Sequence, residues 1–254
     1  MPLEQFLPAN IFAVMLVFAR IGTAMMMLPG FGEVYVPARF RLLLAMILSV
    51  LLIPILEPLL PRMPGSPSAL LVVFSAEIAV GLFIGTLTRF VLAGLETAGS
   101  IVSIQSGLSN AVIFNPLQST QSPIPSALYS TLGVLLIFLT NVHHIMLRGL
   151  VDSYMIFTPG KLPPVEDLSQ TIAHAAAASF RLSIEMAAPF IVIGTVFFVA
   201  LGLIGRLVPQ VQILFITQPL QIVGGLLLFG VVLAAGMSWF LDAFVQQFNV
   251  IIPG

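Results

Sequence analysis

The sequence predicts an all-α integral membrane protein. Of its 254 residues, 59% are hydrophobic and only 7% are charged, whereas soluble domains carry about 25% charged residues. Several apolar runs are as long as a membrane-spanning helix, which needs about 20 residues. One polar but uncharged stretch near the middle of the chain, 106–125, breaks this pattern with several prolines. These observations predict long apolar helices arranged around a long irregular central loop.

The first part of the chain is predicted to hold a series of apolar helices, interrupted by turns rich in proline and glycine. Gly81 and Gly85 lie four residues apart in the third run, a spacing that lets membrane helices approach closely. We therefore expect tight helix packing at these two glycines. The expected helices are 5–28, 42–56 and 69–95, with 96–104 leading into the central loop.

The central loop cannot be one continuous helix, because Asn115-Pro116 is followed by two further prolines. It also carries an apolar island that ends at Phe114, which a solvated linker would normally lack. Irregular backbone in a membrane protein is tolerated only where protein buries it or where it lines a water-filled cavity. We interpret this loop as a functional element that the flanking helices hold in place.

The second part of the chain is predicted to hold one apolar segment long enough to span a bilayer and then a helical hairpin. Residues 127–147 are uncharged and long enough to cross a bilayer. Residues 158–168 are the most hydrophilic part of the chain and the expected internal boundary. The arms of the hairpin are expected at 169–206 and 211–248, with Gly202 and Gly205 allowing a close approach near its turn.

Charged residues within apolar helices are expensive in lipid and usually face a partner or water. Arg181 and Glu185 are four residues apart and share a helix face, whereas Glu77 and Arg89 need partners elsewhere. Two readings stay open, a proton or ion relay and structural pairing between helices, and the second is favoured because a relay usually strings several acids along one path. The charges concerned are Arg20, Glu77, Arg89, Arg181, Glu185 and Arg206.

Neither enzyme chemistry nor a cofactor is indicated by the sequence. The chain has no cysteine, which removes thiolate catalysis and cysteine metal sites. His143 and His144 are adjacent and are interpreted as a polar helix end rather than a metal site, because neighbouring helical residues do not face each other. Neither a G-x-S-x-G nucleophile elbow nor a glycine-rich phosphate loop is present.

The net charge of −1 gives no reason to expect a nucleic-acid partner. A cleaved signal peptide is not expected either, because no basic residue precedes the first apolar run.

The order and spacing of several motifs resemble one known family. They are the run FARIGTAMMMLPGFGEVYVPARFRLLLAMILS at Phe18–Ser49, Gln105-Ser106-Gly107, Asn141-Val142-His143-His144 with Arg148, Gly205-Arg206-Leu207-Val208-Pro209-Gln210, and Gln218-Pro219-Leu220. Together they resemble the flagellar export-gate family FliR, whose injectisome counterpart is the T-type export apparatus protein. One departure is Val211-Gln212-Ile213, where an Asn-Val-Phe-type continuation is expected.

The resemblance implies a fold and a set of partners. FliR looks like a fusion of a P-type helical part, 1–168 here, with a Q-type helical hairpin, 169–254 here. Such a chain joins P-type and Q-type subunits in a pore-forming gate of the flagellar basal body in the bacterial inner membrane. The B-type export-switch protein and the exported flagellar proteins in transit are further expected partners.

The resemblance also assigns a plug to the central loop, 106–125. In the family this plug closes the pore together with a ring of methionines on the P-type subunits. Phe114 is carried over as the main occluding side chain. The plug residues implied for this chain are Val112, Ile113, Phe114, Asn115 and Pro116.

The expected function is therefore that of a non-enzymatic subunit of the flagellar type III protein-export gate, which passes unfolded proteins. A secondary transporter for a small solute is the alternative from a different class. That reading expects inverted repeats with paired broken helices, and the sequence shows one broken region. An intramembrane hydrolase would need a base and a nucleophile on facing helices, and none is evident.

Overall fold

The computed structural model describes residues 3–109, 123–207 and 213–251, and the regular secondary structure in this part of the chain is all helical. Five of the helices in this part are long and apolar enough to cross a membrane. A pair of shorter helices with a bend between them adds a sixth span if the pair is counted as one span. This confirms the predicted fold class. The helices are α1 (Leu3–Met27), α2 (Ala38–Leu56), α3 (Pro67–Gln105), α4 (Ile124–Leu139), α5 (Val142–Ile156), α6 (Val165–Leu207) and α7 (Ile213–Ile251), with a 3₁₀ turn at Glu57–Leu59.

The first of two compact units comprises Met1–Phe90, Ile137–Ala176 and Phe244–Gly254. Its core begins on α1, where buried side chains recur every three to five positions along one face of the helix. Examples are Phe12, Leu16, Ile21 and Met25. An edge-to-face contact between Phe12 of α1 and Phe74 of α3, with ring centroids 5.9 Å apart, extends this core.

The second compact unit comprises Val91–Leu136 and Ala177–Ala243. An aromatic cluster lies in its core: the ring of Phe229 in α7 is 5.1 Å from that of Tyr129 in α4 and 6.3 Å from that of Phe190 in α6. Small residues let the helices approach within this unit. A side chain at Gly99 of α3, for example, would overlap the backbone of Ser126 at the start of α4.

The expected span at 127–147 is not one straight helix. The run divides into α4 and α5, whose axes differ by 75°. Asn141 lies at the break with φ of 59°, a left-handed conformation that asparagine adopts more readily than most residues. Uncharged composition alone gave no sign of this break, because no proline or glycine marks it.

The other helix boundaries differ from the expected ones in smaller ways. The third helix does not end near residue 95 but continues to Gln105, and α6 begins at Val165 inside the expected hydrophilic boundary. The expected turn of the hairpin falls partly outside the described residues. The compact units group residues by packing, so the division into a P-type part and a Q-type hairpin after residue 168 stays a prediction.

Much apolar surface remains uncovered by the chain itself. In the most apolar stretches of α2, α6 and α7, only 17% of the residues are buried. On α2 the buried residues are limited to Ala45, Ser49 and Leu56, while large side chains such as Leu43 and Leu51 are exposed. Helices that are apolar on all sides need lipid or other protein around them.

Candidate functional site

A fully buried ion pair joins α1 to α3 in the first unit. Arg20 and Glu77 are both completely inaccessible to solvent, and the Nε of Arg20 donates to Oε2 of Glu77 across 2.7 Å. Nη2 of Arg20 donates to the other carboxylate oxygen at 3.1 Å, so the pair is bidentate. Two hydrogen bonds between one guanidinium and one carboxylate make a strong and directional contact.

The same guanidinium also binds the end of α5. Its Nη1 donates to the carbonyl oxygen of Ser153 at 3.1 Å, and its Nη2 donates to the carbonyl oxygen of Phe157 at 3.1 Å. The last carbonyls of a helix lack partners within the helix and attract cations. Arg20 thus caps α5 from a different helix, and its guanidinium carbon lies 4.0 Å from the ring centroid of Tyr154.

Glu77 in turn holds the turn that follows α5. Its Oε1 accepts a hydrogen bond from the backbone N–H of Gly160 at 2.7 Å. Gly160 has φ of +78°, a conformation that glycine adopts without steric cost. The buried pair therefore connects α1, α3, the end of α5 and the loop before α6 in one hydrogen-bonded cluster, which we call the Arg20 cluster.

Close packing of α1 and α3 positions the Arg20 cluster. A side chain at Gly81 would overlap the hydroxyl of Thr23 and the carbonyl oxygen of Arg20, and one at Gly85 would lie 2.7 Å from the Cβ of Met27. The expectation of tight packing at both glycines is confirmed. At Gly202, in contrast, an added Cβ would meet nothing within 4 Å, so no close approach is seen at this glycine among the described residues, and the expectation for Gly205 stays a prediction.

Arg89 is paired with Glu33, which lies in the loop between α1 and α2. Its Nη1 donates to Oε1 of Glu33 at 2.6 Å, and the arginine side chain is 37% exposed. Partial burial raises the pKa of the nearby Tyr35 hydroxyl, and the charge of Glu33 raises it further, while Arg89 opposes the rise. This pair fastens the α1–α2 loop to α3.

The charges on α6 are exposed rather than buried. Arg181 Nε donates to Oε1 of Glu185 at 2.7 Å, with the two side chains 81% and 48% exposed. Arg206 near the end of α6 is also exposed, and no ion pair joins it to any other described residue. On α5, Arg148 and Asp152 form a looser pair at 3.9 Å.

The end of α3, where the central loop begins, is fixed by contacts within the second unit. The Nε2 of Gln221 in α7 donates to the carbonyl oxygen of Gln105 at 2.8 Å. Gly107 follows with φ of +74° and ends the helix, as glycine in this conformation commonly does. The side chain of Ser106 packs directly against Gly225 of α7.

The implied plug residues, Val112, Ile113, Phe114, Asn115 and Pro116, lie outside the described residues. Their role as a plug stays a prediction. The described ends of the loop are Ser106–Ser109 and the chain from Pro123 onward.

The adjacent histidines contact each other, contrary to the expectation from helical spacing. The ring centroids of His143 and His144 are 4.1 Å apart, and the His143 ring is 4.9 Å from that of Phe138 in α4. Both histidines lie in the first turn of α5, directly after the break at Asn141. Within the described residues, no group of three or more histidine, aspartate and glutamate side chains could hold a metal ion.

Several residues of these clusters could not be found from spacing. Glu33, Ser153 and Gln221 are partners of Arg89, Arg20 and Gln105, respectively. Each partner is far away in the sequence, and the separations reach 133 residues for Ser153. The only sequence signal was the apolar surroundings of Arg20, Glu77 and Arg89, which required partners without identifying them.

The family model and the individual relatives that match this chain all point to the same family. Residues 11–247 match the family described as "Bacterial export proteins, family 1". The Flagellar biosynthetic protein FliR of Caulobacter vibrioides is 36% identical over 231 residues, which cover 91% of this chain and 92% of that protein. The protein of the same name from Bacillus subtilis is 31% identical over 83% of this chain and 82% of its own length. The one from Escherichia coli is 27% identical over 92% and 88%.

These matches cover nearly the whole chain and include the helices that carry the Arg20 cluster. The motifs that resembled FliR in the sequence fall within the matched range. The chain belongs to the FliR family of bacterial flagellar export proteins, and it is an integral membrane member of the flagellar export apparatus.

Proposed function

We propose that the chain is a non-enzymatic subunit of the flagellar type III protein-export gate in the bacterial inner membrane, at the flagellar basal body. With P-type and Q-type subunits it forms the pore through which unfolded flagellar proteins pass, and the B-type export-switch protein is a further partner. Family membership supports the export role. The surface of α6 supports the assembly role and is the observation that carries the proposal.

Helix α6 is not suited to lipid along its whole length. Its 43 residues extend about 64 Å at 1.5 Å per residue, whereas the hydrocarbon core of a bilayer is about 30 Å thick. The exposed pair Arg181–Glu185 lies within this apolar helix, and exposed charges are costly in lipid. Part of α6 therefore requires water or protein around it, which neighbouring gate subunits would supply.

The assembly role is tested by co-expression with P-type and Q-type subunits and a mass measurement of the detergent-solubilised complex. A gate subunit should purify as a large hetero-oligomer, and deletion of residues 205–254 should abolish co-purification. An intact complex after this deletion would contradict the proposal. A monomer or a small homo-oligomer from the full-length chain would instead favour a small-solute transporter.

We further propose that the central loop acts as the plug of the pore. The loop is free of charge, so it can occupy a constriction without the cost of burying an ion. Its apolar island would exclude water and ions from a narrow pore and still yield to an arriving chain. Loops of this length in compact proteins are usually functional or disordered.

The plug is tested by deleting residues 110–115 and measuring ion leak and growth in high salt. Loss of a plug should leave the amount of complex unchanged and make the membrane leaky. If Phe114 instead packed a core, Phe114→Ala would cost about 3–5 kcal/mol and reduce the yield of complex. A normally assembled deletion variant without added leak would refute the plug.

A further inference from the structure

The last turn of α3 makes three successive contacts with the helices that pack around it. The side chain of Gln105 lies against Gly194 of α6, Ser106 lies against Gly225 of α7, and Gly107 lies against Gln221 of α7. Gln221 and Gly225 are four residues apart, so they occupy one face of α7. The end of α3 is thus seated in a fixed register on α7.

Only one of these contacts is a hydrogen bond from a side chain of α7. The amide of Gln221 donates to the carbonyl oxygen of Gln105 at 2.8 Å, a group near the helix end that lacks a full set of partners within the helix. The same amide lies where a side chain at Gly107 would be, 3.1 Å from its Cβ. A side chain at residue 107 would crowd Gln221 and would also be strained by the positive φ of this residue.

The hydrogen bond between Gln221 and Gln105 lies beside free space. A cavity of about 220 Å³ adjoins it and is lined by Gln105, Ser106, Gln221, Gly225 and neighbouring apolar side chains. With free space beside it, the end of α3 could shift if the amide were lost. On the side of this cavity, packing does not hold the end of α3 in place.

We propose that Gln221 is a positioning residue for export. Its amide holds the end of α3, through Gln105, in the register from which the chain continues beyond Ser109. This inference rests on the proposed export function, but the position of the α3 end can be measured without reference to the plug.

The position of the α3 end relative to α6 is measured by disulfide crosslinking. The chain has no cysteine of its own, so the introduced cysteines are the only ones in it. A Cβ at Gly194 would lie 3.4 Å from the Cβ of Gln105, close to the separation found in disulfides. The pair Gln105→Cys with Gly194→Cys should therefore crosslink on mild oxidation in membranes that contain the assembled complex. Failure to crosslink in the otherwise native chain would overturn the geometry on which the proposal rests.

Gln221→Leu and Gln221→Glu both remove the donor, and the second keeps the size and shape of the side chain. Gln221→Leu should slow crosslinking roughly two- to tenfold, the factor that one ordinary hydrogen bond contributes, and Gln221→Glu at least as much because its carboxylate would face the carbonyl oxygen of Gln105, while the yield of complex stays normal. Gln218→Leu is the control on the same helix. Unchanged crosslinking in both Gln221 variants would overturn the proposal.

Adjacent glycines provide a second, matched comparison. Gly225→Ala would press a methyl group onto Ser106, whereas Gly224→Ala would meet nothing within 4 Å. Both changes raise helix propensity equally, so only Gly225→Ala should slow crosslinking. Equal effects of the two alanines would contradict a specific contact at this point.

The functional readouts are ion leak and the rate of protein export. Gln221→Leu should change at least one of them in normally assembled complex, and loss of crosslinking with unchanged leak and export would overturn the role in export. The plug is judged separately, from the deletion of residues 110–115. A deletion without leak refutes the plug but leaves the Gln221 result intact.

Discussion

Arg20→Leu removes the cation from the Arg20 cluster and leaves the buried carboxylate of Glu77 behind. The carboxylate keeps the N–H of Gly160 as a donor but loses both bonds from the guanidinium. At the same time the carbonyl of Phe157 loses the donor that Arg20 supplies. The variant thus combines an uncompensated buried charge with an uncapped helix end.

The expected cost is large relative to the stability of the chain. Breaking a buried ion pair by removing one partner costs about 3–5 kcal/mol, and whole domains are stable by only about 5–15 kcal/mol. Arg20→Leu should therefore remove about a fifth or more of the free energy of unfolding. Glu77→Gln should also be destabilising, because it leaves the buried guanidinium without a counter-charge and places an amide N–H₂ group where a carboxylate oxygen now accepts from Arg20.

The double variant separates the ion pair from the rest of the cluster. With Arg20→Leu and Glu77→Gln together, no unpaired charge is buried, so the double variant should be more stable than the sum of the single changes predicts. Coupling between contacting residues is typically about 0.5–3 kcal/mol. The assay is thermal unfolding of the detergent-purified chain, combined with the amount of protein that inserts into membranes.

Arg181→Leu is the matched control. It breaks an arginine–glutamate pair with the same Nε–Oε distance of 2.7 Å, but one that is exposed, and exposed pairs contribute little to stability. The reasoning would be refuted if Arg20→Leu were as well tolerated as this control. It would also fail if the effects of the two changes in the cluster were simply additive.

Three further predictions concern charge, packing and backbone conformation. Exchanging the two residues as Arg181→Glu with Glu185→Arg should preserve more swimming motility than either single alanine change, because the ion pair is re-formed. If the single alanine variants instead assemble normally but block export at a reduced proton gradient, a relay is favoured. Gly81→Ala should cost about 1–3 kcal/mol in thermal unfolding through overpacking, whereas Gly202→Ala should be neutral or slightly stabilising, and equal effects would contradict the α1–α3 contact. Asn141→Ala should cost about 1–2 kcal/mol because of the left-handed backbone, while Asn141→Gly should be tolerated; tolerance of the alanine would place the break elsewhere.

The fold class followed from composition because the physical constraint is severe. A chain with 7% charged residues cannot cover a water-soluble surface, and lipid permits only helices or closed barrels. Helix positions were accordingly predictable to within a few residues at most ends. The break between α4 and α5 was not, since a single left-handed asparagine leaves no compositional trace in an apolar run.

The partners of buried charges could not be predicted from the sequence. Sequence spacing identifies partners only within about one helical turn, as for Arg181 and Glu185. Arg20 and Glu77 are 57 residues apart, so their pairing depends on how α1 packs against α3. The glycine at residue 81 permits that packing, but nothing in the sequence states which helix it faces.

The geometry of the Arg20 cluster bears on the choice between a relay and structural pairing. Each guanidinium nitrogen of Arg20 already donates to an oxygen, and Glu77 accepts from Arg20 and from the backbone of Gly160. A proton carrier must exchange its partners during each cycle, and exchange here would require α5 and the following loop to move away from α1. The hydrogen bonds of Arg20 and Glu77 join α1, α3, the end of α5 and the loop before α6. Such a cluster favours a structural role that holds these elements together. Structural pairing therefore accounts for Arg20 and Glu77 more simply than a relay does.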